Sequence, residues 1–81
     1  METLQEIENK AEDELDRLYA KHKREREQME EQAILALKGA RTPQESISIN
    51  EENMTKFGIL ANKQKEEYAQ VCKRYPKAFS L

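Results

Sequence analysis

The stretch RTPQESISINEENMTKF, residues 41–57, decides how this chain is arranged, because it holds two helix-start signals inside a sequence that otherwise reads as helix. Thr42, Pro43, Gln44 and Glu45 form the first. Thr serves as N-cap, Pro takes the first helical position, where its missing N–H is harmless, and Glu at the third position completes a capping box. Asn50 opens the second, with Glu51 and Glu52 in the electropositive first turn and Ile49 and Met54 spaced as a hydrophobic staple. Between them SISIN alternates β-branched and polar residues, which disfavours a continuing helix. Two successive caps predict a tied-down bend over residues 39–50. Gly39, directly after ILALK, is placed to end the preceding helix as an αL residue.

Upstream of the bend, residues 3–38 contain neither Pro nor Gly and are dominated by good helix formers, which predicts one long helix. Its apolar positions superpose on a shift of eleven residues. Leu4, Leu15, Arg26 and Leu37 form one line, Ile7, Leu18, Met29 and Ala40 a second, and Ala11, His22 and Ala33 a third. Eleven residues in three turns is close to a straight helix, so little left-handed coiling is expected. Opposite charges stand four apart in Glu6 with Lys10, Asp13 with Arg17, Lys21 with Glu25, Lys23 with Glu27 and Arg26 with Glu30, a spacing that supports exposed helices. Charge is also segregated: residues 2–16 are acidic with only Lys10 opposing, and residues 17–26 basic with only Glu25 opposing. Such blocks set orientation against a complementary surface.

Downstream, a second helix is expected over residues 51–75, with an apolar stripe of Met54, Phe57, Leu60, Ala61, Gln64, Tyr68, Val71, Cys72 and Tyr75. Gly58 in a helix interior calls for a close backbone approach near the bend, where Ile34, Leu35 and Leu37 would meet Phe57, Ile59 and Leu60. Gln64 on the apolar line is either a register-setting polar contact or a wet position, and the wet reading is favoured. Pro76 ends the helix, and a short apolar tail over residues 76–81 carries Phe79 and Leu81, with a hydrophobic-x-hydrophobic terminus of the kind captured by strand addition. The fold expected is therefore all-α: one antiparallel helical-hairpin domain over residues 1–81, completed into a bundle or coiled coil by a second chain. A single extended rod is the alternative. A helix of about 24 residues runs out before one of about 35, near Leu15, which leaves Leu4, Ile7 and Ala11 with no internal cover except the tail.

The bulk numbers agree with a thin core. The chain has 81 residues, 37% hydrophobic and 37% charged, with no Trp, and a mean hydropathy of -1.02; so polar a short chain has little material for a closed core. One cysteine, Cys72, excludes an internal disulfide framework and fits a reducing interior. No apolar run reaches the length of a membrane span and the first residues lack a secretory signal. The expectation is an intracellular, cytoplasmic protein, with a nuclear one left open.

No phosphate-binding loop, nucleophile elbow or paired-cysteine site occurs, and a lone His22 cannot pair with a second histidine on a metal. Tyr19, not Glu, stands three before it, against the Glu-x-x-His step of di-iron bundles. No enzyme activity, cofactor, metal or small-molecule substrate is expected. His22 reads as a boundary residue of the stripe, and Cys72 as a small core residue. Thr42-Pro43 also fits a phosphorylation site, though the dipeptide already has its capping role. The functional expectation is a non-catalytic module that lays an apolar stripe on helices of a protein partner or of its own copy, as adaptor, chaperone, inhibitor or structural subunit. Leu4, Ile7, Ala11, Leu15, Leu18, Met29, Phe57, Tyr68 and Val71 are the interface candidates. The alternative is a small nucleic-acid-associated regulator contacting phosphates through Lys21, Lys23, Arg24, Arg26, Lys73, Arg74 and Lys77, although a net charge of -2 gives no overall attraction.

Overall fold

A computed structural model describes residues 2–79 as an antiparallel pair of long helices with a short third at the end. Helix α1 spans Leu4–Lys38, α2 Pro43–Arg74 and α3 Pro76–Phe79. Thr3 caps α1, its hydroxyl accepting from the Glu6 N–H at 3.2 Å. At the other end the Gly39 N–H reaches the carbonyls of Ala36 and Leu35 at 3.2 and 3.3 Å. Gly39 has φ -82°, so α1 ends in right-handed backbone and not through the αL residue expected there.

The bend is shorter than the sequence predicts. It is over by Pro43, and SISIN lies inside α2. The first cap forms at Thr42, whose hydroxyl accepts from the Glu45 N–H at 3.1 Å, while Glu45 Oε2 reaches one residue past the N-cap and accepts from the Arg41 N–H at 2.7 Å. With the helix nucleated there, each β-branched residue lowers helix propensity by a few tenths of a kcal/mol, too little to break a growing helix. Asn50 is thus an interior residue, and the second start signal is unused. The helix ends at Arg74, one residue before the expected Tyr75.

This early start moves everything downstream. Gln64 Nε2 donates to the His22 carbonyl at 3.2 Å. Arg74 pairs with Glu14 and Lys63 with Glu25, each at 3.4 Å. The two ion pairs stand eleven residues apart on both helices, running in opposite directions, so the eleven-residue repeat of α1 has a counterpart in α2. The same shift applied to the His22–Gln64 layer sets Ala11 across from Tyr75 and Ala33 across from Asn53. Phe57 consequently lies far below the bend, and the cluster expected at residues 34–37 and 57–60 does not form: Ile34, Leu35 and Ile59 are exposed. Gln64 is buried and bonded, not wet. Gly58 meets no close backbone at all, since a Cβ there would have nothing within 4 Å.

The longer α2 also covers more of α1 than expected. Ala11 is 2% exposed, and α3 packs against α1 beyond it, leaving Ile7 half-buried and Leu4 exposed. The expected lack of cover thus holds for Leu4 and fails for Ala11. Phe79 of the expected apolar tail is the last residue of α3 and half-buried, whereas Ser80 and Leu81 lie outside the described residues.

The shape is a rod, 63 × 19 × 11 Å, with a radius of gyration of 18.2 Å where a compact chain of this length has about 12 Å. Its accessible surface is 6631 Å², about 1,600 Å² more than a compact protein of its mass presents. Among the described residues the buried apolar side chains are Ala11, Leu60 and Val71. A single helix pair has no third element to close over its seam, so most of the stripe is half-buried.

Candidate functional site

The two flanks of the helix seam differ in chemistry. One flank carries the charges. Lys21 Nζ donates to Glu67 Oε2 at 2.8 Å, Lys63 reaches Glu25, and Arg74 reaches Glu14. The bond from Lys21 holds the Glu67 carboxyl below its ordinary range and raises Lys21 in turn. Each charge block of α1 is met at one point within the chain, Glu14 of the acidic block by Arg74 and Lys21 of the basic block by Glu67. Lys21 and Lys10 do not use the carboxylates four residues along their own helix: Lys21 crosses to Glu67, and Lys10 turns back to Glu2 at 2.9 Å.

The opposite flank carries aromatic and apolar side chains among exposed charges, Lys23 sharing the line of Ile34 and Lys65 that of Met54. Tyr19 packs on Tyr68 with ring centroids 5.2 Å apart, and burial pushes the Tyr68 phenol up. In the eleven-residue register Ile34 follows Tyr19 along this flank of α1, while Ile47, Met54, Gly58 and Ala61 precede Tyr68 along that of α2. Tyr19, Ile34, Ile47 and Met54 are all exposed, Met54 at 74%. Met54 thus sits beside the seam and not on it, Asn53 having taken the inward position. Leu35, close to the bend, and Ile59, in the middle of α2, are also exposed and lie on other faces.

The sequence-predicted interface residues divide accordingly. Ala11 and Val71 are buried by the hairpin itself; Ile7, Leu15, Leu18, Met29, Phe57 and Tyr68 are half-buried along the seam; Leu4 is exposed. Near Ile7 an open groove of about 550 Å³ is lined also by Lys10, Arg74, Tyr75, Pro76 and Lys77. Of the predicted phosphate contacts, Lys21 and Arg74 are held in ion pairs, and Lys23, Arg24, Arg26, Lys73 and Lys77 are exposed but divided among the three helices.

The centre of the charged flank holds a cluster the sequence reading missed. His22 is 0% exposed, not a boundary residue, and neither ring nitrogen has a hydrogen-bond partner. Its Nε2 lies 3.7 Å from Glu67 Oε2, and donor atoms of His22, Glu25 and Glu67 fall within 4.8 Å of one another. Oε1 of both carboxylates is buried and unpartnered. Glu25 follows His22 by one helical turn, a signal readable in the sequence. Glu67 is brought in by the antiparallel register, which the misplaced bend had hidden.

Among the described residues no helix is long and apolar enough to cross a membrane. Comparison of the chain with protein families, with curated proteins and with solved structures returned no match. Functional reading rests on the geometry itself.

Proposed function

We propose that this hairpin is a non-catalytic protein-interaction module whose exposed apolar flank packs against helices of a partner or of a second copy, closing a three- or four-helix bundle. The carrying observation is the placement of Tyr19, Ile34, Ile47 and Met54, large apolar side chains left exposed along one flank of a chain with few buried ones. A two-helix seam forgoes the burial that a third helix would supply, and the surplus surface of the one chain is about twice the roughly 800 Å² that each partner gives up in a standard interface. Gly58, open to solvent on that flank, leaves room for a neighbouring helix backbone. Leu4 and Ile7 at the open end extend the contact beyond the reach of α2, and Leu15, Leu18, Met29 and Phe57 supply the half-buried floor. Adaptor, chaperone, inhibitor and structural-subunit roles all use this mode of contact.

Sedimentation velocity over a range of concentrations tests the reading. Wild type is expected to associate. Ile34→Asp with Met54→Asp should sediment as a monomer of unchanged helical content, and Leu4→Asp with Ile7→Asp should weaken association less. A wild-type chain that remains monomeric at every concentration and unfolds in one cooperative transition identical to that of both paired variants would sink the proposal.

A further inference from the structure

We propose that His22, Glu25 and Glu67 form a binding site for one divalent transition-metal ion of the zinc class, joining α1 to α2 midway along the hairpin. The side chains are set for it. His22 is fully buried with both ring nitrogens unpartnered, and the buried Oε1 atoms of Glu25 and Glu67 are unpartnered as well. Three polar groups left unsatisfied at one place inside a small protein are costly, and a cation that accepts all of them removes the cost.

The distances suit a metal. Zinc takes imidazole nitrogen and carboxylate oxygen at about 2.0–2.2 Å, which puts neighbouring donors about 3.4 Å apart in a tetrahedral shell. His22 Nε2 and Glu67 Oε2 stand at 3.7 Å already, and the full set lies within 4.8 Å, a gap that small side-chain rotations close. Three protein donors leave a fourth position for water or a second carboxylate oxygen. An imidazole ligand favours zinc and its first-row neighbours over calcium and magnesium, which prefer all-oxygen shells. The Tyr68 ring meets the imidazole edge-on at 4.8 Å and limits its rotation.

The cluster also departs from the repeat that builds the rest of the hairpin. One repeat toward the open end, the equivalents of His22, Glu25 and Glu67 are Ala11, Glu14 and Ala78; one repeat toward the bend they are Ala33, Ala36 and Lys56. Alanine suffices on that line for close helix packing, and only the middle layer brings a nitrogen and two carboxylates together. Lys21 and Lys63 hold Oε2 of the two glutamates. Both lysines are half-exposed or more, so their ammonium groups can swing into water when a divalent ion replaces them.

The test uses the full chain stripped of metal, titrated with zinc chloride in a non-chelating buffer by calorimetry and followed by thermal melting. Expected are one ion per chain, a melting temperature raised by several degrees, and affinity lowered at least about tenfold in Glu25→Gln and in Glu67→Gln. Glu25→Gln is chosen because its partly exposed side chain can change without unfolding the helix, which circular dichroism verifies. Lys21→Met removes a competitor for Glu67 and should tighten binding several-fold. Cobalt substituted for zinc should show ligand-field bands without a thiolate charge-transfer band. Absence of saturable binding, wild-type affinity in Glu25→Gln or in Glu67→Gln, calcium binding as tight as that of zinc, one ion per two chains, or a thiolate band from Cys72 would each overturn the proposal.

Discussion

The ring of Tyr68 meets the imidazole of His22 edge-on, with centroids 4.8 Å apart and planes at 80°, and on its other side it packs against Tyr19. Tyr68 thus touches two rings of α1, one turn beyond the buried Gln64. Edge-to-face aromatic contacts add to the burial of the ring itself. Tyr68→Ala should therefore lower unfolding free energy by about 2–3 kcal/mol, and Tyr68→Phe by less than about 1 kcal/mol. Urea unfolding followed by circular dichroism checks both. A Tyr68→Ala chain as stable as wild type would mean that the ring does not join the helices.

Gly58 supports the opposite expectation. It sits in the middle of α2 with open space where a Cβ would stand, so nothing in the hairpin requires glycine there. Gly58→Ala should raise unfolding free energy by about 0.5–1 kcal/mol, since alanine loses less backbone entropy in a helix. Thermal melting at fixed protein concentration measures it.

How far the fold was legible depended on signals that compete locally and are decided globally. The span of α1 could be read to within a residue, because residues 4–38 contain no breaker and Thr3 caps them. The all-α hairpin was equally legible, and so was the cap at Thr42. The failure came at Asn50, where a second cap signal of equal apparent strength was overridden by a helix already under way from Pro43. That single displacement of eight residues carried Phe57, Ile59 and Met54 away from their expected neighbours. It also hid Glu67, because a cross-helix cluster is readable only once the register is known. Gln64 follows the same logic: an amide on an apolar line fits either a wet position or a polar contact, and the carbonyl of His22 across the seam decides for the contact.

Alkaline pH offers a test of the open end. Burial raises the Tyr75 phenol above its ordinary value, and the Glu14 carboxylate raises it further. The folded chain then holds this proton more tightly than the unfolded chain does. The resulting stabilisation is complete below about pH 10 and is lost as pH rises through the folded value. Melting temperature should fall above about pH 10, and Tyr75→Phe should make that fall shallower while leaving the curve between pH 6 and 9 nearly unchanged. An identical alkaline slope in the variant would place Tyr75 in water and detach the end of α2 from α1.

The ion pair between Arg74 and Glu14 tests the antiparallel register directly, since its partners are sixty residues apart in sequence and 3.4 Å apart in space. Arg74→Glu places two carboxylates together, and Glu14→Arg places two guanidinium groups together; each should destabilise the chain by about 0.3–1 kcal/mol. Combining the two substitutions restores opposite charges in reversed order and should recover most of the loss, a coupling of about 0.2–1 kcal/mol in a double-mutant cycle. Both side chains are partly exposed, so the coupling should shrink towards zero in about 1 M salt. The same cycle on Glu14 and Lys63, which the register holds about sixteen Å apart at the helical rise, should give no coupling. If the Glu14–Arg74 cycle also gives none at low salt, the helices do not pair as a hairpin in solution, and the extended rod becomes the better description.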